Sequence, residues 1–316
     1  MLVSAAIADR RRVFSMAVTS TDGRDRGRPS SWSSAIDRLA CDYDDTGIAA
    51  RFFVLSAGNT RDDRAWTAYP QSLATNSIHD PAQAWNALTI GAYTQLNSIT
   101  ERDALHYGAI APVDGLSPFT TTSVTWQNEW PIKPDVVFEG GNAAVEPGGF
   151  ASTFSSLSLL TTHYQPTQKL FDTANGTSAA SALASKMATE VWAYYPDFWP
   201  ETVRGLLVHS ARWTPQMLDE YLQGLKDKKS VRSLLRHCGY GVPTLERALW
   251  SASNSLTDHD CARRAGSLSK AAWRSGEDTR HAFARSSVAN GNTRVARRCT
   301  RDDARDAVLL HRAQPW

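Results

Sequence analysis

Phe52-Phe53-Val54-Leu55 is an unbroken apolar run that closes on Ser56-Ala57-Gly58-Asn59. It reads as a buried strand, because a run with no polar alternation has no wet face. Ala87-Leu88-Thr89-Ile90-Gly91-Ala92 reads as a second short strand ending in small residues. Val136-Val137-Phe138, in Lys133–Gly141, and Val13–Val18 complete the set. Helical patterns lie between them. Over Ser33–Ala40, Ile36, Leu39 and Ala40 turn inward, while Asp37 and Arg38 take the wet face. Another helix is expected from Thr177 to Tyr194, stopped by Pro196, and the next from Trp199-Pro200-Glu201 through Ser210. Strands alternating with helices predict an α/β fold, a mostly parallel sheet with helices on both faces. In such sheets the site lies at the carboxyl ends of the strands.

Two of these segments carry chemistry. In Asn175-Gly176-Thr177-Ser178-Ala179-Ala180, Gly176 permits a tight turn and a close backbone approach. Ser178 then falls in the first turn of a helix, where unpaired N–H groups and the helix dipole favour developing negative charge. Gly-Thr-Ser is also an ordinary way to begin a helix, with the hydroxyl as N-cap. Asn59, at the carboxyl end of its strand, can donate a side-chain N–H to an oxyanion, or can be a simple turn residue.

Taken in order, Ser56-Ala57-Gly58-Asn59, Ile90-Gly91-Ala92, Lys133-Pro134-Asp135 and Asn175-Gly176-Thr177-Ser178-Ala179-Ala180 resemble the motifs of the subtilisin-like serine peptidases. The resemblance covers roughly residues 12 to 250. It implies a subtilisin-like sheet, peptide-bond hydrolysis through an acyl-enzyme, Ser178 as nucleophile and Asn59 in the oxyanion hole. It implies a protein or peptide as substrate and calls for no metal or organic cofactor, no nucleic acid and no membrane. Asn rather than Asp at position 59 matches the subtilisin branch rather than the sedolisins.

The triad Asp and His that the resemblance requires are absent. No histidine precedes Asn59; the first is His79, in Ser77-Ile78-His79-Asp80-Pro81, with no glycine after it. Asp44-Asp45-Thr46-Gly47 looks like the aspartate motif but lies in the polar loop before the Asn59 strand and reads as a turn. His209 and His163 are the substitutes worth naming for the base, although His209 reads as a buried helix histidine. A serine without its base keeps little catalysis. Val13–Val18 resembles the strand that follows the family's histidine helix and forms one edge of the substrate cleft. The expectation is therefore a peptidase truncated at its N-terminus, with residues 1–257 a partial catalytic domain. The alternative is a pseudoprotease that binds peptides or a partner protein.

From Asp258 onward the chain carries twelve Lys/Arg against seven Asp/Glu, so the net charge of +2 hides an asymmetry. Residues 258–316 read as a disordered Arg-rich tail. Read one base over, Asp303–Trp316 can encode an alternating strand followed by turn residues, which makes an out-of-frame origin the better reading; nucleic-acid binding is the remaining alternative. No apolar run approaches the ~20 residues that span a bilayer, and Met1–Asp9 is too short for a secretory signal core. Cys41, Cys238, Cys261 and Cys299 show no metal spacing, which favours free thiols and a reducing, cytoplasmic setting. His237 and Cys238 are sequence neighbours and so do not face each other on a helix.

Overall fold

The computed structural model describes residues 11–20, 22–43, 51–224 and 227–254. Asp44-Asp45-Thr46-Gly47, Met1–Asp9, Cys261, Cys299 and the tail from 258 lie outside them.

The main sheet is built from β1 (Val13–Met16), β2 (Phe52–Ser56), β3 (Leu88–Thr94) and β6 (Val136–Glu139), parallel in the order β1-β2-β3-β6. A short antiparallel strand, β5 (Gly115–Leu116), pairs with the last two residues of β3. Two small antiparallel sheets sit outside it. One joins β4 (Gly108–Ala109), β7 (Ala144–Val145) and β8 (Ala151–Ser152); the other joins β9 (Leu159–Thr162) and β10 (Phe171–Ala174).

Helices cover both faces, and the two-residue period of β2 sorts them. Phe52 and Val54 pack with Leu88, Ile90 and Val136 against α3 (Gly176–Tyr194), α4 (Pro200–Ser210) and α7 (Leu245–Asn254). Phe53 and Leu55 point the other way, toward Ile36 and Ala40 of α1 (Ser31–Ala40). Val137, one residue on from Val136, joins a third cluster with Met217 of α5 (Pro215–Tyr221) and Leu234 and Cys238 of α6 (Lys228–Cys238). A mostly parallel α/β architecture is thus present as the sequence predicts.

Local chemistry sets the helix ends. Ser30 caps α1, its hydroxyl accepting the N–H of Ser33 while the Ser33 hydroxyl accepts the N–H of Ser30. Pro200 opens α4 at a position where the missing N–H costs nothing. Asp37 departs from its expected solvent role. Its carboxylate accepts the N–H groups of Trp85 at 3.1 Å and Asn86 at 2.7 Å, fixing the chain that enters β3.

Residues 60–86 are more than a surface connection. They hold the short helix α2 (Asp63–Thr67), and Leu73, Ile78, Ala82 and Ala84 are buried. Pro70 and Pro81 break the periodicity there, so the burial leaves no regular trace in the sequence. Helices α5 and α6 rest on local signals, Thr214 capping ahead of Pro215 in the first and Val231, Leu234, Leu235 and Cys238 at helical spacing after the Asp227 cap in the second.

The Lys133-Pro134-Asp135 segment locks the sheet from below the site. Lys133 is 2% exposed, and its Nζ donates to Ala87 O at 2.9 Å and to Asp135 Oδ2 at 2.7 Å. Asp135 also accepts the N–H of Thr89 at 2.6 Å. Burial draws the lysine pKa down while the Asp135 carboxylate pulls it back up.

Candidate active site

The site forms where β2 and β6 end and α3 begins. Gly176 has φ +73, and a Cβ there would lie 2.5 Å from Asn59 Oδ1. Its N–H donates to Gly140 O at 2.6 Å. Gly140 is equally constrained, since a Cβ would meet Ala92 Cβ at 2.5 Å. Glycine at both positions lets the turn into α3 touch the end of the sheet.

Thr177 joins the two sequence-predicted residues. It is fully buried, and its N–H donates to Asn59 Oδ1 at 2.7 Å. Its hydroxyl lies 2.9 Å from the same oxygen and 3.1 Å from Gly58 O, and accepts the Gly58 N–H at 3.2 Å. Because a backbone N–H can only donate, the amide oxygen of Asn59 must face Thr177. The Nδ2 group is thereby turned away, with no partner among the described residues. Asn59 is half-buried and so is Ser178, the next residue after Thr177.

Ser178 is the third residue of α3, not its N-cap; that place belongs to Asn175, which makes no capping bond. First-turn N–H groups have no acceptor within the helix; those of Gly176 and Thr177 are taken by Gly140 O and Asn59 Oδ1, which leaves the Ser178 N–H and the helix dipole for whatever sits beside Ser178. Among the described residues no side chain hydrogen-bonds to the Ser178 hydroxyl.

The end of β2 is clamped by a run that sequence reading passed over. Thr120, Thr121, Thr122 and Ser123 are all buried. Thr121 Oγ1 donates to Ala57 O at 2.9 Å, Thr60 N to Phe119 O at 2.9 Å, and Asn59 forms a bridge with Thr120. A short Thr/Ser run reads as loop in sequence, and only its hydrogen bonds show it to be core. Asn142 is a second such residue: its Nδ2 donates to Leu96 O and Ala111 O, and its Oδ1 accepts from Ala111 N and Ala143 N.

The histidines fall apart from one another. His163 lies between β9 and β10, with Nδ1 accepting the Gln165 N–H at 3.1 Å and Nε2 3.9 Å from Asp172 Oδ2. His209 is half-buried on α4. His237 stacks on Tyr221 and bonds Ser233 O at 2.8 Å, and burial pulls its pKa down. The pKa of the buried Cys238 thiol is pushed well up by burial, which disfavours the thiolate. His79 is different, since its ring lies against Gly58: a Cβ on Gly58 would be 2.4 Å from it. No group of metal-ligating side chains occurs among the described residues, and none of their helices is long and apolar enough to cross a membrane.

Against known proteins, a family model described as the subtilase family, Peptidase S8, matches residues 1–241. The uncharacterized protein y4bN of Sinorhizobium fredii is 29% identical over 268 residues, covering 80% of this chain and 56% of that protein. Among solved structures, a lanthipeptide protease matches with TM-score 0.41 and 16% identity, over 74% of this chain and 59% of that one. MycP1 from Mycobacterium smegmatis matches with TM-score 0.37 and 17% identity, over 75% of this chain and 50% of that one. The chain therefore spans little more than half the length of the curated relative it matches.

Proposed function

This chain belongs to the subtilase family, and from that premise we propose that it carries part of the machinery of a serine-type endopeptidase, with Ser178 as nucleophile and Asn59 as oxyanion donor. The observation that carries the reading is the orientation of Asn59. Thr177 holds its amide oxygen with two donors, and the amide N–H bonds are left for a ligand beside Ser178. A tetrahedral intermediate would place its oxyanion between Nδ2 of Asn59 and the backbone N–H of Ser178. The substrate is a peptide or protein, and the acyl group passes to Ser178 Oγ before water releases it.

The base and its orienting acid are proposed to come from sequence outside this chain, so that the chain alone turns over poorly. A second reading, a pseudoprotease that keeps a peptide groove without turnover, draws on the Ser178 hydroxyl having no bonded side chain among the described residues.

A fluorophosphonate probe separates the two. The full chain is expected to label far more slowly than an intact subtilase, since loss of a triad member costs about 10⁴ or more in turnover. Supplying the family's Asp and His segments upstream should restore labelling at Ser178 and peptide cleavage. A chain so completed that stays unlabelled would favour the pseudoprotease. Rapid labelling of the chain as it stands would mean that a histidine within it serves as base.

A further inference from the structure

Next to Asn59 the carboxyl ends of β1 and β2 meet the segment 77–80, and the side chains there form an unusual electrostatic set. His79 N donates to Ala57 O at 2.9 Å, which draws its ring against Gly58. The ring's Nδ1 lies 3.4 Å from the Thr19 hydroxyl just beyond β1, and Ser20 N donates to Asp80 O at 2.7 Å. Thr19, Gly58 and His79 thus converge at one corner of the site.

Two arginines lie near that corner, Arg26 reaching it through Ser77 and Arg61 following two residues after Asn59. Arg26 is half-buried, and its guanidinium is held only by backbone carbonyls, Nη1 to Ser77 O at 2.7 Å and Nε to Asp22 O at 3.1 Å. Arg61, two residues after Asn59, is exposed. Among the described residues neither is ion-paired. Neighbouring carboxylates are occupied elsewhere. Asp80 accepts from Ser30 Oγ at 2.5 Å and Gln83 Nε2 at 2.6 Å, Asp22 pairs with Arg24, and Asp62 caps the N–H of Arg64. Asp22 acts on Arg26 from beyond ion-pair distance, and burial outweighs it, so the guanidinium pKa is drawn down. A guanidinium taken partly out of water without a close counter-charge is costly, and such costs are repaid where a ligand brings the charge. Burial, then Arg26 and Arg61, push the His79 imidazole down to about 4 against a hydrogen bond with the Ser20 backbone that raises it, so the ring is neutral at pH 7. With Nδ1 turned to Thr19, the ring's other nitrogen is the one available to an incoming acceptor.

We propose that this corner, made by His79, Arg26, Arg61 and Thr19, receives an acidic side chain of the peptide substrate next to the bond held at Ser178. The assignment rests on the peptidase reading of Ser178 and Asn59. Asp or Glu of the substrate supplies the counter-charge that Arg26 and Arg61 lack and accepts a hydrogen bond from the imidazole. Uncharged and basic side chains leave those charges unpaired or add to them, so the corner discriminates by charge rather than by size.

The test uses the full chain and a degenerate library of acetylated, amidated octapeptides, the retained fraction being sequenced by mass spectrometry. Asp and Glu should be enriched at one position by about tenfold or more at low salt, the scale of one charge-assisted hydrogen bond. Arg26→Gln and Arg61→Gln should each reduce that enrichment, and salt should weaken it. Arg61 is exposed, so its variant carries the test should Arg26→Gln fail to fold. Retention of peptides with no acidic preference, or a preference untouched by either variant, overturns the assignment and leaves the peptidase reading standing. If no peptide is retained above a blank column, the peptide groove itself is wrong and the corner falls with it.

Discussion

Asn59 shows how a single residue can be read at two levels. Its place at the end of a buried strand is written locally, but its orientation comes from Thr177, 118 positions away. In a chain given the family's Asp and His segments upstream, Asn59→Ala is expected to lower kcat by about 10²–10³ with little change in KM, because the lost bond belongs to the transition state. A raised KM with kcat spared would make Asn59 a substrate-positioning residue instead. His79 offers a pH prediction. Its folded pKa, about 4, lies below its unfolded value of 6.5, so the unfolded chain binds the extra proton first as pH falls. Its contribution is present in full above pH 6.5 and is lost between there and about 4. Partial exposure limits the effect to something on the order of 1–2 kcal/mol. Urea midpoints measured from pH 7 to pH 4 should fall, and His79→Gln should flatten the lower part of that profile.

At the scale of elements, the meeting of β6 with α3 is held by backbone rather than by side chains. Gly140 and Gly176 exist to let Gly176 N reach Gly140 O, and that contact sets where Ser178 stands. Beneath it, Lys133 and Asp135 tie the start of β6 to β3 through Ala87 O and the N–H of Thr89. Asp135→Ala is expected to cost about 3–5 kcal/mol, since it leaves a buried ammonium without its counter-charge. Asp135→Asn keeps an acceptor for Thr89 and should cost less. Chemical denaturation of the two variants measures the difference, and equal losses would assign the effect to the lost charge rather than to the hydrogen bond from Thr89.

Across the whole molecule, the cluster beneath α5 and α6 gathers Tyr69, from the chain after α2, with Tyr221 and Cys238. Among the described residues the hydroxyls of Tyr69 and Tyr221 and Oε1 of Glu220 are buried without hydrogen-bond partners, and burial raises the pKa of both phenols. A buried orphan hydroxyl costs about 1–3 kcal/mol. Tyr69→Phe and Tyr221→Phe should therefore each raise the urea midpoint, by about 1 kcal/mol in stability. Loss of stability instead would place ordered water on those oxygens.

The sequence by itself determined the alternation of strands and helices, the two-faced burial of Phe52–Leu55, the extent of α3 and the candidacy of Ser178 and Asn59. Those features are local: periodicity records which side of an element is covered, and glycine records where backbone must pass closely. Tertiary structure alone decided that Asn59 turns its oxygen to Thr177, that His79 packs on Gly58, and that Thr120–Ser123 form core rather than loop. It also decided that residues 60–86 contribute buried side chains. Each of these depends on partners distant in the chain. Hydrogen-bond direction and side-chain contact are settled by packing in three dimensions, and neither leaves a period in the sequence.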